Sequence, residues 1–88
     1  MQKEIKDKLI EIGYTGKTDL ETLLDALPVG IDQEDKRYDL VIEQNSFIYY
    51  SDTEGNELVK VDRKNNESLA DMAGRVIILL ESKNLIKF

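Results

Sequence analysis

Three stretches of this 88-residue chain hold residue types that could do chemistry. Gly13-Tyr14-Thr15-Gly16-Lys17-Thr18 ends in the lysine and hydroxyl that close a phosphate-cradling loop. Such a loop needs a preceding strand and a longer glycine spacing, so that enough backbone N–H groups surround the phosphate. Here a helical pattern precedes it and the glycines are too close, so the stretch reads as a helix-to-helix turn in which either glycine takes a positive φ. Asp32, Glu34 and Asp35 offer oxygen ligands suited to calcium or magnesium, but with no glycine-centred loop and no spaced terminal glutamate. Asp52, Glu54 and Asn56 have the spacing that opens a calcium loop; Glu57 then stands where the sharp-turn glycine belongs, and Arg63 where the closing glutamate belongs. No metal ligand, cofactor-binding or catalytic residue is assigned. The chain has no cysteine and no histidine, which removes disulfides, thiolate chemistry, the usual zinc sites and the usual general base near neutral pH. An enzyme would have to work with tyrosine, lysine and carboxylates alone, and no nucleophile–base pair stands at a recognisable spacing.

Charge narrows the partners further. Residues 1 to 18 carry +1, residues 19 to 57 carry −9 and residues 58 to 88 carry +2, giving the net −6. An acidic middle opposes direct nucleic-acid binding, which depends on neutralising phosphates with lysine and arginine. Met1 to Lys8 is too densely charged for a signal peptide, and no apolar run approaches the roughly 20 residues of a membrane span. The expected compartment is the cytoplasm.

Hydrophobic spacing supplies the elements that must position these residues. Ser68 to Lys83 is the strongest: Leu69, Met72, Ala73, Val76, Ile77 and Leu80 form one helical stripe, Ser68 with Asp71 forms a capping box, and Asn84 is a candidate left-handed cap. Ile78 points away from that stripe. Leu85, Ile86 and Phe88 form an apolar tail able to fold back on the domain. Gln2 to Ile12 is a first helix, with Ile5, Leu9 and Ile12 on one side, a Glu4–Lys8 pair, and Gly13 as its stop. Thr18 with Glu21 caps a second, with Leu20, Leu23, Leu24 and Leu27 as its stripe and Pro28 as its end. Val29 to Arg37 reads as a charged connection. Tyr38 to Gln44 alternates as a half-buried strand with Tyr38, Leu40 and Ile42 inward. Phe47 to Ser51 is apolar on both faces, as in a central strand. Glu57 to Asp62 has Val59 and Val61 inward and Leu58 outward. The expectation is one α+β domain over residues 1–88: two short N-terminal helices, a three-stranded antiparallel meander, and a C-terminal helix packed on the sheet, in the order α-α-β-β-β-α.

Two resemblances follow from these elements. The three strands flanked by helices resemble the double-stranded-RNA-binding domain in topology. That family's lysine cluster at the start of the last helix is replaced here by Ser68, Leu69, Ala70 and Asp71, so RNA binding does not carry over. The Gly13-Tyr14-Thr15 turn after a first helix, the leucine-rich helix from Leu20 to Pro28, and the small sheet with an apolar closing helix resemble small phage and prophage proteins. That resemblance implies the fold outline and no particular activity.

The function expected is therefore that of a small non-enzymatic interaction protein with a protein partner. The alternative is an acidic mimic of nucleic acid that inhibits a host nuclease or defence system, using Asp52, Glu54 and Glu57 with Asp32, Glu34 and Asp35 as phosphate-like charges. The candidate partner-binding residues are Ile78, Val41, Leu58, Asp52, Glu54 and Glu57. A homodimer is the simplest way to bury Ile78, Val41 and Leu58 if Leu9, Leu23 and Leu27 do not cover them.

Overall fold

The computed structural model describes residues 1–51 and 55–88. Among these the chain forms helices α1 (Lys3–Glu11), α2 (Leu20–Ala26) and α3 (Leu69–Ser82), and strands β1 (Gly30–Gln33), β2 (Lys36–Ile42), β3 (Ser46–Ser51) and β4 (Asn56–Asp62). The strands make one antiparallel sheet in the order β1-β2-β3-β4. The α+β class and the closing helix on the sheet are as expected. The sheet has four strands where the spacing predicts three, because the stretch read as a charged connection holds β1 and its turn. β1 buries a single side chain, Ile31, and exposes Asp32 and Gln33. Its two-residue turn places Glu34 and Asp35 at φ 53° and 65° between the paired Gln33 and Lys36. Both central residues are thus left-handed, the requirement that Asn-Gly ordinarily meets and signals.

The helix ends show how local sequence fixes the chain path. α1 closes with Gly13 at φ 98°, its N–H donating to Ile10, while the Tyr14 N–H donates to the Leu9 carbonyl. α3 closes in the same way, with Asn84 at φ 60° and donors from Asn84 to Glu81 and from Leu85 to Leu80. Both are Schellman motifs, which satisfy carbonyls that the last helical turn leaves free. At the start of α3, Ser68 accepts from the Asp71 N–H at 3.1 Å. The Asp71 carboxylate reaches across the fold to accept from the Gln2 N–H at 3.0 Å, so it ties the N-terminal segment to α3. The cap of α2 lies one residue later than Thr18: Asp19 accepts from the Thr22 N–H at 3.1 Å and from its hydroxyl at 2.8 Å. An ionised acceptor at the positive end of a helix is the stronger of two competing caps. These hydrogen bonds from Thr22 hold the Asp19 carboxyl below its ordinary range. Lys8 pairs with Glu11 at 3.3 Å instead of with Glu4.

α3 lies against β3 and β4, and α1 and α2 both pack on α3. Met72, Ala73, Val76, Ile77 and Leu80 of α3 are buried, as their spacing predicts. They face Phe47, Tyr49, Val59 and Val61, the inward residues of the two strands. Gly74 sits mid-helix, where glycine is unfavourable, because a Cβ there would lie 2.8 Å from the Ile5 Cγ2 and 3.2 Å from the Met1 Cε. Tyr49 is fully buried and its hydroxyl donates to the Pro28 carbonyl at 2.8 Å, tying the segment after α2 to the centre of the sheet. Burial raises that phenol far above its usual pKa. The C-terminal tail folds back as expected: the Phe88 ring meets Tyr14 edge-on, centroids 5.6 Å apart, and its Cβ would touch any Cβ added at Gly13. Ile42, predicted inward, is 51 % exposed at the last position of β2.

Between β4 and α3 the chain is held by a buried ion pair. The Glu67 carboxylate, almost fully buried, accepts from the Arg75 Nε and Nη2, both at 2.6 Å, and from the Lys64 N–H at 3.0 Å. Arg75 also donates to the Asp62 carbonyl at 2.7 Å, and the Arg63 Nε donates to the Glu67 carbonyl at 2.8 Å. The guanidinium of Arg75 holds the Glu67 carboxyl below its ordinary range. A bidentate pair of this kind fixes orientation as well as distance.

Candidate functional site

With its helices gathered on one side, the sheet presents its other face to solvent. Register gives that face its composition. Asp39 stands opposite Tyr50, which stands opposite Glu57; Val41 stands opposite Ile48, which stands opposite Lys60; Ser46 stands opposite Asp62. Successive side chains of a strand alternate between faces, so Ile48 and Tyr50 point outward because Phe47 and Tyr49 point inward. Val41, Ile48 and Tyr50 line a groove of about 370 Å³ with Glu43 and Glu57 on its rim. Ile48 and Tyr50 are half-buried by one another and their neighbours, and Val41 is 41 % exposed.

The cations of this face are already engaged. The Arg37 Nε reaches Asp39 at 3.2 Å and its Nη1 reaches Asp32 at 3.1 Å, and these two acids raise the pKa of the guanidinium. Lys60 lies 3.9 Å from Asp62. Among the described residues Glu43 and Glu57 enter no ion pair; Glu43 only accepts a long hydrogen bond from Ser46, at 3.5 Å. The face therefore combines an apolar centre with excess negative charge. Such a surface is suited to binding.

The residues singled out from sequence do not converge on one place. Val41 is central to the groove and Glu57 is on its rim. Leu58 is the extra residue of a β-bulge, since Tyr49 pairs with Val59 and Tyr50 with Glu57, and it packs partly against the core instead of facing outward. Ile78 is also half-buried against the core and lines a separate shallow groove with Val61, Arg75, Leu79 and Ser82. Asp52 and Glu54 lie outside the described residues. Glu34 and Asp35 form the β1–β2 turn at the end of the sheet where β4 begins with Asn56 and Glu57, so these three acids lie toward one end. Among the described residues no three carboxylates converge as metal ligands would. Ile48, Tyr50 and Glu43 belong to the site without having been singled out. The signal for Ile48 and Tyr50 was the doubly apolar pattern of β3, which sequence alone reads as burial on both faces.

A larger concavity, about 590 Å³, is lined by Asn45 and residues 63–68. Its geometry is accounted for by folding: the Arg63 side chain and the Lys64 N–H are turned onto Glu67, and the Arg63 N–H donates to the Asn45 carbonyl at 2.8 Å. No helix among the described residues is long and apolar enough to cross a membrane. Compared with protein-family models, with curated proteins and with solved structures, the chain matches none.

Proposed function

We propose that this chain is a non-enzymatic interaction module that docks a protein partner on the outer face of its sheet. The observation that carries the reading is the strip Val41, Ile48 and Tyr50, three side chains that stay partly exposed in a groove on the face that no helix among the described residues covers. Apolar residues grouped on an otherwise charged surface mark interaction sites more often than residues scattered singly. The acidic surround disfavours nucleic acid and membrane as direct partners and suits a cytoplasmic protein. A second copy is the poorer occupant, because it would bring the same acidic face against itself; Ile78 and Leu58, two of the three residues that argued for a homodimer, are already packed on the core. The test compares capture of partners by wild type with capture by Val41→Lys/Ile48→Lys at matched thermal midpoint. Loss of a partner in the variant supports the reading, and a partner retained by it overturns the assignment to this face.

The acidic mimic is the second reading, favoured by one observation: Glu34, Asp35 and Glu57 lie at the same end of the sheet. Against it, Asp32 and Asp39 share Arg37, which offsets one of their two charges. The variant Glu34→Gln/Asp35→Asn/Glu57→Gln separates the two, since a mimic of nucleic acid loses its nuclease or defence target and an apolar docking face keeps most of its affinity.

A further inference from the structure

We infer that the partner element seated on this face is a cationic amphipathic helix, one that places apolar side chains on Val41, Ile48 and Tyr50 between two lysines or arginines directed at Glu43 and Glu57. The inference rests on the docking face proposed above and adds the chemistry of its occupant. Its first support is charge. The groove is rimmed by two carboxylates that enter no ion pair among the described residues, whereas Arg37 and Lys60 are each drawn to neighbouring acids. An arriving cation therefore meets a carboxylate without an ion pair at each end, and among the described residues the cations of the face each lie beside an acid.

The second support is spacing. Glu43 and Glu57 stand two strands apart and four residues apart along the strand direction, because Asp39, in the row of Glu57, lies four positions before Glu43. At about 4.8 Å between strands and 3.4 Å per residue the two Cα atoms are roughly 16 Å apart on the diagonal. Eleven residues of helix rise about 16.5 Å and return to the same side, so cations at i and i+11 with apolar residues at i+4 and i+7 match the groove. The third support is architecture. Among the described residues α3 covers only the inner face of β3 and β4, so the apolar row on the outer face is left for an element that is not part of this fold.

The experiment uses the full chain, isotopically labelled, titrated with three synthetic helices of identical apolar face. One carries lysine at i and i+11, one glutamine and one glutamate. The expected result is that the lysine helix moves the amide resonances of Val41, Glu43, Ile48, Tyr50 and Glu57 at high-micromolar concentration. The glutamine helix binds several-fold more weakly and the glutamate helix weakest, with the differences shrinking at high salt. Glu43→Lys/Glu57→Lys should reverse the order of lysine and glutamate helices. Equal binding of all three on this face overturns the cationic occupant and leaves the docking face standing. Perturbation confined to residues 63–68, or none, overturns both. Concentration-dependent broadening of the same resonances without peptide overturns the inference in favour of a second copy as the occupant.

Discussion

Tyr49 and Tyr50 are neighbours in the chain and share a side-chain chemistry, yet one is fully buried and hydrogen-bonded while the other lines an open groove. The same division runs through β3, with Phe47 inside and Ile48 outside. Composition cannot distinguish these faces. What distinguishes them is which one the helices cover, and that is settled by residues far away in sequence, on α3. The inner residues answer to stability. The outer ones are free of that demand, so their apolar character calls for another cause.

The comparison breaks first at its strongest point. Phe47→Ala should cost about 3–5 kcal/mol and Leu80→Ala about 2–5, with Val76→Ala nearer the low end because less volume is removed. Ile48→Ala on the outer face should cost less than about 1.5 kcal/mol, since its side chain is only half-buried. Chemical denaturation of the set measures all four. A loss at Ile48 as large as that at Phe47 would mean that something already covers the outer face.

Next in size is the ion pair that locks α3 to β4. Arg75→Ala should cost about 3 kcal/mol or more, because it leaves the Glu67 carboxylate buried without its cation. The pair also sets a pH dependence. The Glu67 pKa is depressed in the folded state, so its contribution is fully present above the unfolded glutamate value of about 4.3 and is lost as pH falls through the lower folded value. Denaturation midpoints between pH 6 and pH 2.5 should therefore fall more steeply for wild type than for Glu67→Gln. An uncharged outer-face variant such as Ile48→Ala should follow the wild-type slope.

These two regions also differ in how far sequence discloses them. The stripe of α3, its Ser68 cap and its Asn84 exit are local, written in residues that touch one another within a turn or two, and all three could be read. The Glu67–Arg75 pair could not, because it joins positions eight apart across a loop–helix junction and only tertiary folding sets its geometry. β1 escaped for a different reason: one buried isoleucine is no alternation, and its turn lacks the glycine or asparagine that normally announces a hairpin. The bulge at Leu58 shifted the face of one candidate, as a single extra residue does wherever side chains alternate. For the site, Val41 and Glu57 were legible as an outward apolar residue and an acid beside it. Ile48 and Tyr50 were hidden by the assumption that a doubly apolar strand has both faces covered.

A finer cut uses the two tyrosines themselves. Tyr49→Phe removes the donor to the Pro28 carbonyl and should cost about 1–2 kcal/mol. Tyr50→Phe should change stability by no more than about 0.5 kcal/mol, since among the described residues its hydroxyl makes no hydrogen bond. If both changes were silent, the link from the sheet to the segment after α2 would carry little of the fold's stability.

The smallest effect expected has the opposite sign. Glu34 and Asp35 hold left-handed backbone in the β1–β2 turn, at φ 53° and 65°, where residues with a Cβ are disfavoured and glutamate has no short side chain to compensate. Glu34→Asn with Asp35→Gly supplies the turn that this geometry prefers, and part of the gain is returned because glycine is freer in the unfolded chain. The net should be stabilisation of about 0.5–1 kcal/mol. The pair also removes two acids from the end of the sheet that Glu57 shares, so it sharpens the division between stability and binding. A protein that becomes more stable while its partner affinity is unchanged assigns these acids to neither face. Greater stability with weaker binding would mean that the strained turn is retained for its charge, and that the binding surface extends from the Val41 groove to the tip of the first hairpin.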